Sequence, residues 1–352
     1  MSRPTIVTIA LIITVSATLP VEPAHAQESG SGGPTSSATA PLVPLIAYRS
    51  SSALDISMDG RIEESVWQNA IPISDFTQQE PVEGGQPSER TEIRVIFDEN
   101  NLYIGAIIYD DPSQILAFQR ERDASLGTDD RFMWILDTFL DGRTGYFFEI
   151  NAAGLMGDGV IGAGRGRGGR GGGGGGGTNK AWDGIWEAQT FIRPDGWSAE
   201  IQIPFRTLNF NPDQSEWGIN FQRTIRRKNE EMLWRGYQRN QGLRNPVFAG
   251  RLTGLSGLSQ GLGLEAVPSS VANWRNTPGN VATAADPEAK AHTFPKDISL
   301  DLNYSLTSSL RASLSLNTDF AEVESDQRRV NLTRFAIRFP EQRNFFLEGS
   351  GV

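Results

Sequence analysis

An antiparallel, all-β fold is what this sequence predicts for its middle, from about Leu54 to about Leu255, and three observations carry it. Short runs rich in β-branched and aromatic residues alternate apolar and polar positions at the two-residue period of a strand. Turn-forming stretches such as Asp-Glu-Asn-Asn, Asp-Gly-Arg-Thr-Gly and Pro-Asp-Gly separate those runs. One short stretch alone has helical spacing, so strands must bury their apolar faces on other strands, which makes a two-layer β-sandwich with one short helix.

The elements follow in chain order. Residues 1–26 hold a basic residue near the start, an apolar run from Ile6 to Leu19 and the small residues Ala24 and Ala26 around His25, the pattern of a secretory signal peptide cut after Ala26. The apolar run is short of the roughly 18 to 20 residues that a spanning helix needs. Residues 27–45, mostly Gly, Ser, Thr and Pro, have little to bury and read as a flexible tether. In LDISMDGRIEESVWQNA, residues 54–70, Ile62, Val66 and Ala70 recur at i, i+4, i+8, and Glu63 and Glu64 stand where a first helical turn favours negative charge. The expectation is a short helix laid on a sheet, with Trp67 wedged beside its stripe as packing rather than as a ligand contact.

In TEIRVIFD, residues 91–98, Ile93, Val95 and Phe97 share a face, and NLYIGAIIYDD runs back as the hairpin partner. RFMWILDTF, residues 131–139, is apolar on both faces, as a central strand is, and a turn leads into YFFEIN, residues 146–151. GIWEAQTFIRPDGWSAEIQIPF folds back at Pro194-Asp195-Gly196, and EWGINFQRTIRR, residues 216–227, adds another strand. These belong to a sandwich over 46–255, interrupted at 162–177 by GAGRGRGGRGGGGGGG, which has nothing to pack and reads as a flexible insertion.

Residues 256–296 are rich in Gly, Ser, Pro and Ala and read as a second linker; His292 falls in it. In the last stretch, 297–352, Ile298, Leu300, Leu302, Tyr304 and Leu306 share a face, and Leu310, Ala312, Leu314 and Leu316 return after a short turn. An outer-membrane barrel hairpin and a soluble amphipathic hairpin both give that alternation.

Composition narrows the chemistry. The chain has no cysteine, hence no disulfide, thiolate zinc site or cysteine nucleophile. With two histidines, one inside the signal, a Ser-His-Asp triad and a multi-histidine metal centre are excluded. A net charge of -10 sets the chain against nucleic acid, and 38% hydrophobic residues over 352 supply a sizeable core.

MDGRIEESVW, ERTEIRVIFDENNLYIGAIIYD, RERDASLGTDDRFMWILDTFLDGRTGYFFEIN, WDGIWEAQTFIRPDGWSAEIQIPF and WGINFQRTIRRKNEEMLW stand in that order. Together they resemble the bacterial proteins that carry a family nine carbohydrate-binding module-like domain ahead of an outer-membrane β-barrel. SLNTDFAEVESDQRRVNLTRFAIRFPEQRNFFLEGS resembles the entry into that barrel. The resemblance implies a jelly-roll-like sandwich, export to the outer membrane, periplasm or cell surface, and binding of cellulose- or xylan-type polysaccharide in support of carbohydrate catabolism. It also implies an association with glycoside hydrolases, a structural calcium, and a barrel of which this chain holds only the beginning. The Gly-Arg insertion departs from the pattern.

A pyranose in water needs a flat aromatic face for its C–H surface and fixed polar groups for its hydroxyls. Trp182 and Trp186, at i and i+4 in AWDGIWE, would share one face of an extended strand, with Asp183 and Glu187 on the other. Trp134, Trp197 and Trp217 alternate with aliphatics and are assigned to the core. Arg120, Arg122, Asp123, Asp129 and Asp130, running into Arg131, form the densest polar cluster beside a core strand. They are either hydroxyl partners or a salt-bridged strand entry, and their carboxylates are the right ligand type for calcium, without EF-hand-like spacing. Residues 226–231, RRKNEE, read as a solvated hairpin end. Three functions remain: a carbohydrate-binding module, a non-catalytic appendage of a barrel with a degenerate sugar site, and a glycoside hydrolase. The last needs two carboxylates at a fixed separation, and no motif singles such a pair out.

Overall fold

The computed structural model describes residues 9–15, 43–50, 56–162, 178–180, 182–258, 264–272, 275–276, 292–293, 296–307 and 310–317. The expected cleavage site at Ala26, the tether as far as residue 42, the bulk of the Gly-Arg insertion and everything after Asn317 lie outside the described residues.

The first strand, β1 (Ile9–Val15), pairs with one strand late in the chain. The sandwich then runs through β2 (Leu45–Ile46), β3 (Tyr48–Arg49), β4 (Thr77–Glu80), β5 (Thr91–Phe97), β6 (Asn101–Tyr109), β7 (Arg131–Asp137), β8 (Gly145–Asn151) and β9 (Met156–Ile161). It continues through β10 (Thr178–Asn179), β11 (Glu187–Arg193), β12 (Gly196–Pro204), β13 (Trp217–Ile225), β14 (Glu230–Leu233) and β15 (Gly250–Thr253). One sheet has nine strands, ordered β10-β9-β8-β7-β13-β14-β4 with β15 on β13 and β2 on β15; the other has five, ordered β11-β12-β6-β5-β3. Pairing is antiparallel except at the N-terminal strands, where β2 lies parallel to β15 and β3 parallel to β5.

The two-residue alternation does what it predicts. Ile93, Val95, Ile104, Ala106, Ala199 and Ile201 of the smaller sheet face Phe132, Trp134, Phe148 and Phe221 of the larger one in a single core. Trp134 stacks between Phe132 and Phe148, at ring-centroid distances of 5.5 Å and 5.3 Å. Trp134, Trp197 and Trp217 are buried, as assigned. β7 is central and apolar on both sides: its outer face, through Met133 and Ile135, lies under Leu243, Tyr237 and Ala249 of the β14–β15 connection.

The expected helix is a single 3-10 turn, Ser65–Asn69, and Glu63 and Glu64 precede it rather than occupy its first turn. The reason is the anchor: five residues cannot lay a stripe, and Trp67, 2% exposed, takes the buried place while Ile62 and Val66 pack partly around it. Glu200 of β12 holds both ends of this segment. Its Oε2 accepts the N–H groups of Asp59 and Gly60 at 3.0 Å each, and its Oε1 accepts the Trp67 indole N–H at 3.2 Å. Burial, with Glu64 nearby, pushes the Glu200 carboxyl up to about 7. Gly60 is required there: its φ is +84°, and a Cβ would fall 2.5 Å from the Thr190 carbonyl carbon.

A second compact unit holds β1 with β16 (Leu264–Ala272), β17 (Arg275–Asn276), β18 (His292–Thr293), β19 (Lys296–Thr307) and β20 (Leu310–Leu316). Its main sheet is ordered β1-β20-β19-β16, and β17 pairs with β18. The linker expected over 256–296 therefore contains a nine-residue strand, β16, paired with β19 from Leu264 opposite Tyr304 to Ala272 opposite Lys296. His292 pairs with Asn276 rather than lying in a plain linker. On β19 and β20 the polar side is the covered one: Ser299 and Ser315 are 4% and 0% exposed, against 74% for Ile298 and 44% for Tyr304.

Candidate functional site

Trp182 and Trp186 do not form an open platform. Residues 182–186 are coil leading into β11, so the strand geometry that would have set both rings on one outer face does not apply. Both indoles instead turn into the sandwich, 4% and 7% exposed. Trp186 meets Trp134 and Phe148 edge-on, with centroids 5.5 Å and 5.2 Å apart, and Trp182 lies against Tyr146 at 5.0 Å. Ile185, between them, is the exposed residue.

The polar cluster splits in two. Arg122 draws three segments together: its Nη2 donates to Asp158 Oδ2 at 2.7 Å, to Asp183 Oδ1 at 2.6 Å and to the Gly184 carbonyl at 3.2 Å. Trp186 Nε1 donates to the same Asp158 Oδ2 at 2.6 Å, and Asp123 accepts the Asp158 N–H at 3.2 Å. Burial is the main cause that lifts the Asp158 carboxyl to about 6, against the pull of Trp186 and Arg122.

Asp129 and Asp130 organise the β6–β7 loop instead. Asp129 Oδ2 accepts the N–H groups of Phe118 and Gln119 and the Asn151 side-chain amide, each at 2.9 Å. Burial works to raise its carboxyl, and these bonds with that from Thr128 hold it below its ordinary value. Asp130 accepts the N–H of Leu116 at 3.0 Å and of Arg226 at 2.5 Å. Their oxygens are committed to backbone, amide and hydroxyl groups, and Arg120 is exposed at the loop surface. Among the described residues no group of three or more Asp, Glu or His side chains converges. The stretch 226–231 is also more than a solvated end: Arg227 donates to Asp110, and Glu230, 2% exposed, accepts from Gln78 and Ser88.

A different constellation lies on the outer face of the nine-stranded sheet, beside the part covered by the β14–β15 connection. Two neighbouring cross-strand rows make its floor. One runs Asn151, Arg131, Thr224, Glu231 from β8 through β14, the other Gly157, Glu149, Met133, Gln222 from β9 through β13. Glu149, 2% exposed at its side chain, accepts from Lys180 through Oε1, while its Oε2 stands 3.7 Å from Arg131 Nη1. Gln222 Nε2 donates to Glu231 Oε2 at 3.1 Å. Arg244, from the covering connection, sits 5.0 Å above the Phe147 ring. Gly157 opens the floor: a Cβ would come within 3.1 Å of Glu149 Cγ and 3.3 Å of its Oε1.

Within these two rows, Arg131 Nε, Glu149 Oε2 and Thr224 Oγ1 are buried atoms without a hydrogen-bond partner among the described residues. Native structures leave few such groups, and each one unmet costs about 1–3 kcal/mol. Three together, a cationic donor, an anionic acceptor and a hydroxyl, are held on paired strands where they cannot swing away. Sequence reasoning passed over Glu149 and Thr224, because a polar residue in a strand reads as solvent-facing until the covering segment is known. Arg131 was noticed only as the end of the loop cluster.

A family model described as a domain of unknown function (DUF5916) matches residues 280–352. No curated protein matches the chain. A family 9 carbohydrate-binding module from Caldicellulosiruptor kristjanssonii, solved with cellotriose, is 16% identical, covers 61% of this chain and 94% of its own, and has a TM-score of 0.43. The structure of such a module from the same organism with glucose gives 17% identity, coverage of 62% and 97%, and a TM-score of 0.42. A protein of Bacteroides uniformis ATCC 8492 gives 12% identity, coverage of 59% and 97%, and a TM-score of 0.45.

Proposed function

We propose that the sandwich binds a saccharide on the outer face of the nine-stranded sheet, at Arg131, Glu149, Thr224, Gln222 and Lys180. The observation that carries this reading is the set of three buried polar atoms left without protein partners on rigid strands. A sugar hydroxyl both donates and accepts, so one ring edge can serve Glu149 as donor and Arg131 as acceptor. Glucan- or xylan-type polysaccharide is the ligand class that the sequence resemblance suggests, with Arg122, Asp123, Asp158 and Asp183 shaping the neighbouring rim rather than touching the ring. Trp182 and Trp186 support the site from inside, through Phe148 and Trp134.

Native electrophoresis of the full chain through gels containing a panel of plant and bacterial polysaccharides tests the reading. At least one polymer should retard the protein, and Arg131→Ala should abolish the retardation. Unchanged mobility in every polymer would remove it.

The second unit favours an envelope setting. Exposed Ile298 and Tyr304 beside covered Ser299 and Ser315 are the distribution of a sheet whose outer side meets lipid, which supports an exported chain with the sandwich carried ahead of an outer-membrane barrel. If so, protein recovered from the envelope begins at Gln27; a retained Met1 or a purely cytosolic distribution excludes export.

A further inference from the structure

A sheet edge leaves backbone N–H and C=O groups unpaired, and most edges of this sandwich are short or covered. β9 is closed by β10 and by Asp123, which donates its N–H to the Met156 carbonyl at 3.1 Å and accepts that of Asp158 at 3.2 Å. β4 is closed by the turn that follows it, where Gln78 accepts from Gly84 and donates to Gly85, each at 2.9 Å. β5 is closed by β3 and by the bridge from Ile73 to Ile93. β11 is different. It pairs with β12 alone, along all seven of its residues and without a register shift.

Hairpin geometry says which of its groups are left over. Only Pro194 and Asp195 lie between Arg193 and Gly196, so these two exchange hydrogen bonds, and so do Phe191, Gln189 and Glu187 with their partners on β12. The N–H and C=O groups of Ala188, Thr190 and Ile192 therefore point away from β12, and they have no backbone partner among the described residues. Proline, lysine and bulges, the usual guards of such an edge, are absent from the strand, and its Ile192 is 49% exposed.

The strand is complementary to itself. A second β11 turned about a two-fold axis at Thr190 sets Thr190 opposite Thr190 and Ala188 opposite Ile192, so every outward group of both copies finds a partner. Moving the axis to Gln189 or Phe191 leaves Ile192 or Ala188 without one on the strand. The axis at Thr190 also sets Glu187 opposite Arg193. Because Arg193 already holds Asp195, through Nε at 2.8 Å and Nη2 at 3.2 Å, that contact favours the antiparallel direction and adds little strength.

We propose that β11 is the interface of a homodimer, in which two copies pair their β11 edges antiparallel about Thr190 and merge their smaller sheets into one. This interface is independent of the saccharide site. An edge of seven residues is small against the roughly 20–30 residues a side of a stable complex, so the dimer forms reversibly, at about 1–100 μM.

Sedimentation velocity of the full chain, in a mild detergent that masks the apolar side of the second unit, should show monomer passing to dimer as the concentration rises through that range. Ile192→Pro removes an outward N–H and no bond to β12, at a place where an edge strand tolerates proline. It should hold the chain monomeric with its melting temperature unchanged. The chain has no cysteine, so introduced ones report the register cleanly. Thr190→Cys faces its own copy at a Cα separation of about 5.5 Å and should link into a covalent dimer on mild oxidation. Glu187→Cys, at a more exposed position but roughly 20 Å from its copy, should not.

A monomer at every concentration overturns the proposal, and so does a dimer that Ile192→Pro leaves intact. Assemblies larger than a dimer overturn it too, because a two-fold pairing uses both edges up. If Ile192→Pro fails to melt cooperatively, the cysteines decide: linking at position 190 alone supports the interface, and equal linking at both positions, or none, overturns it.

Discussion

Single buried side chains carry more of this molecule than the visible surface suggests. Trp67 is sealed under a one-turn segment and tied to Glu200, so Trp67→Ala removes both the filling and the bond; a loss of about 3–5 kcal/mol in urea unfolding is expected. Asp158 makes a pH prediction. Its carboxyl titrates near 6 in the folded chain against 3.8 as the ordinary value, so the folded state holds the extra proton between those limits. The stabilisation this provides is complete below about pH 4 and fades as pH rises through 6. Asp158→Asn should flatten the dependence of the melting temperature on pH in that window, and a slope identical to the parent's would refute the assignment. At this scale the sequence was readable where a residue's role is packing: Trp134, Trp197 and Trp217 lie where alternation puts them, and Trp67 is the buried packing residue expected beside its short helical stretch. Trp182 and Trp186 were not, because the coil after the insertion obeys no strand parity and rotates both rings inward.

Strands and their ties come next. Arg223 of β13 links the two sheets through a buried fork: Nη1 donates to Arg90 O at 3.0 Å and Thr91 Oγ1 at 3.1 Å, and Nη2 to Tyr109 O at 2.7 Å and Asp110 Oδ2 at 2.9 Å. Arg223→Ala would strip one donor each from the Arg90 and Tyr109 carbonyls, the Thr91 hydroxyl and the buried Asp110 carboxylate, at about 3–5 kcal/mol. The guanidinium denaturation midpoint should fall with no change in slope; a slope change would mean that the sheets had come apart in the native state. β5, β6, β8, β12 and β13 are legible from their apolar alternation, and β7 from a run apolar on both faces. β4, which reads Thr-Gln-Gln-Glu, and β14, which reads Glu-Glu-Met-Leu, are not: their polar residues find partners across the sheet edge, such as Gln78 on Glu230, and no local pattern announces that. The candidate floor was hidden for a related reason. Glu149 and Arg131 lie on a sheet face that looks solvent-directed until the 234–249 connection, which has no strand signal, is seen to cover part of it.

For the whole molecule, the division into two units was legible as a change in composition after Leu255, but its edge was not, since β16 arises from a stretch rich in small residues. Those residues form a strand because β19 offers nine consecutive partners, a nonlocal opportunity that composition cannot register. The two units call for different tests. In the second, Ile298→Lys should lower recovery in the outer-membrane fraction, since a cation on the lipid side costs about 2–4 kcal/mol at mid-bilayer. Recovery equal to the parent's would favour a water-facing sheet.

One consequence of the sandwich's interior reaches the spectrometer. Every described tryptophan, from Trp67 to Trp234, is buried, and Trp182 and Trp186 are among them. Intrinsic emission from the folded sandwich should therefore be blue-shifted and should stay silent when a sugar arrives at the outer face. A titration followed by indole quenching would report no binding to a site that calorimetry detects.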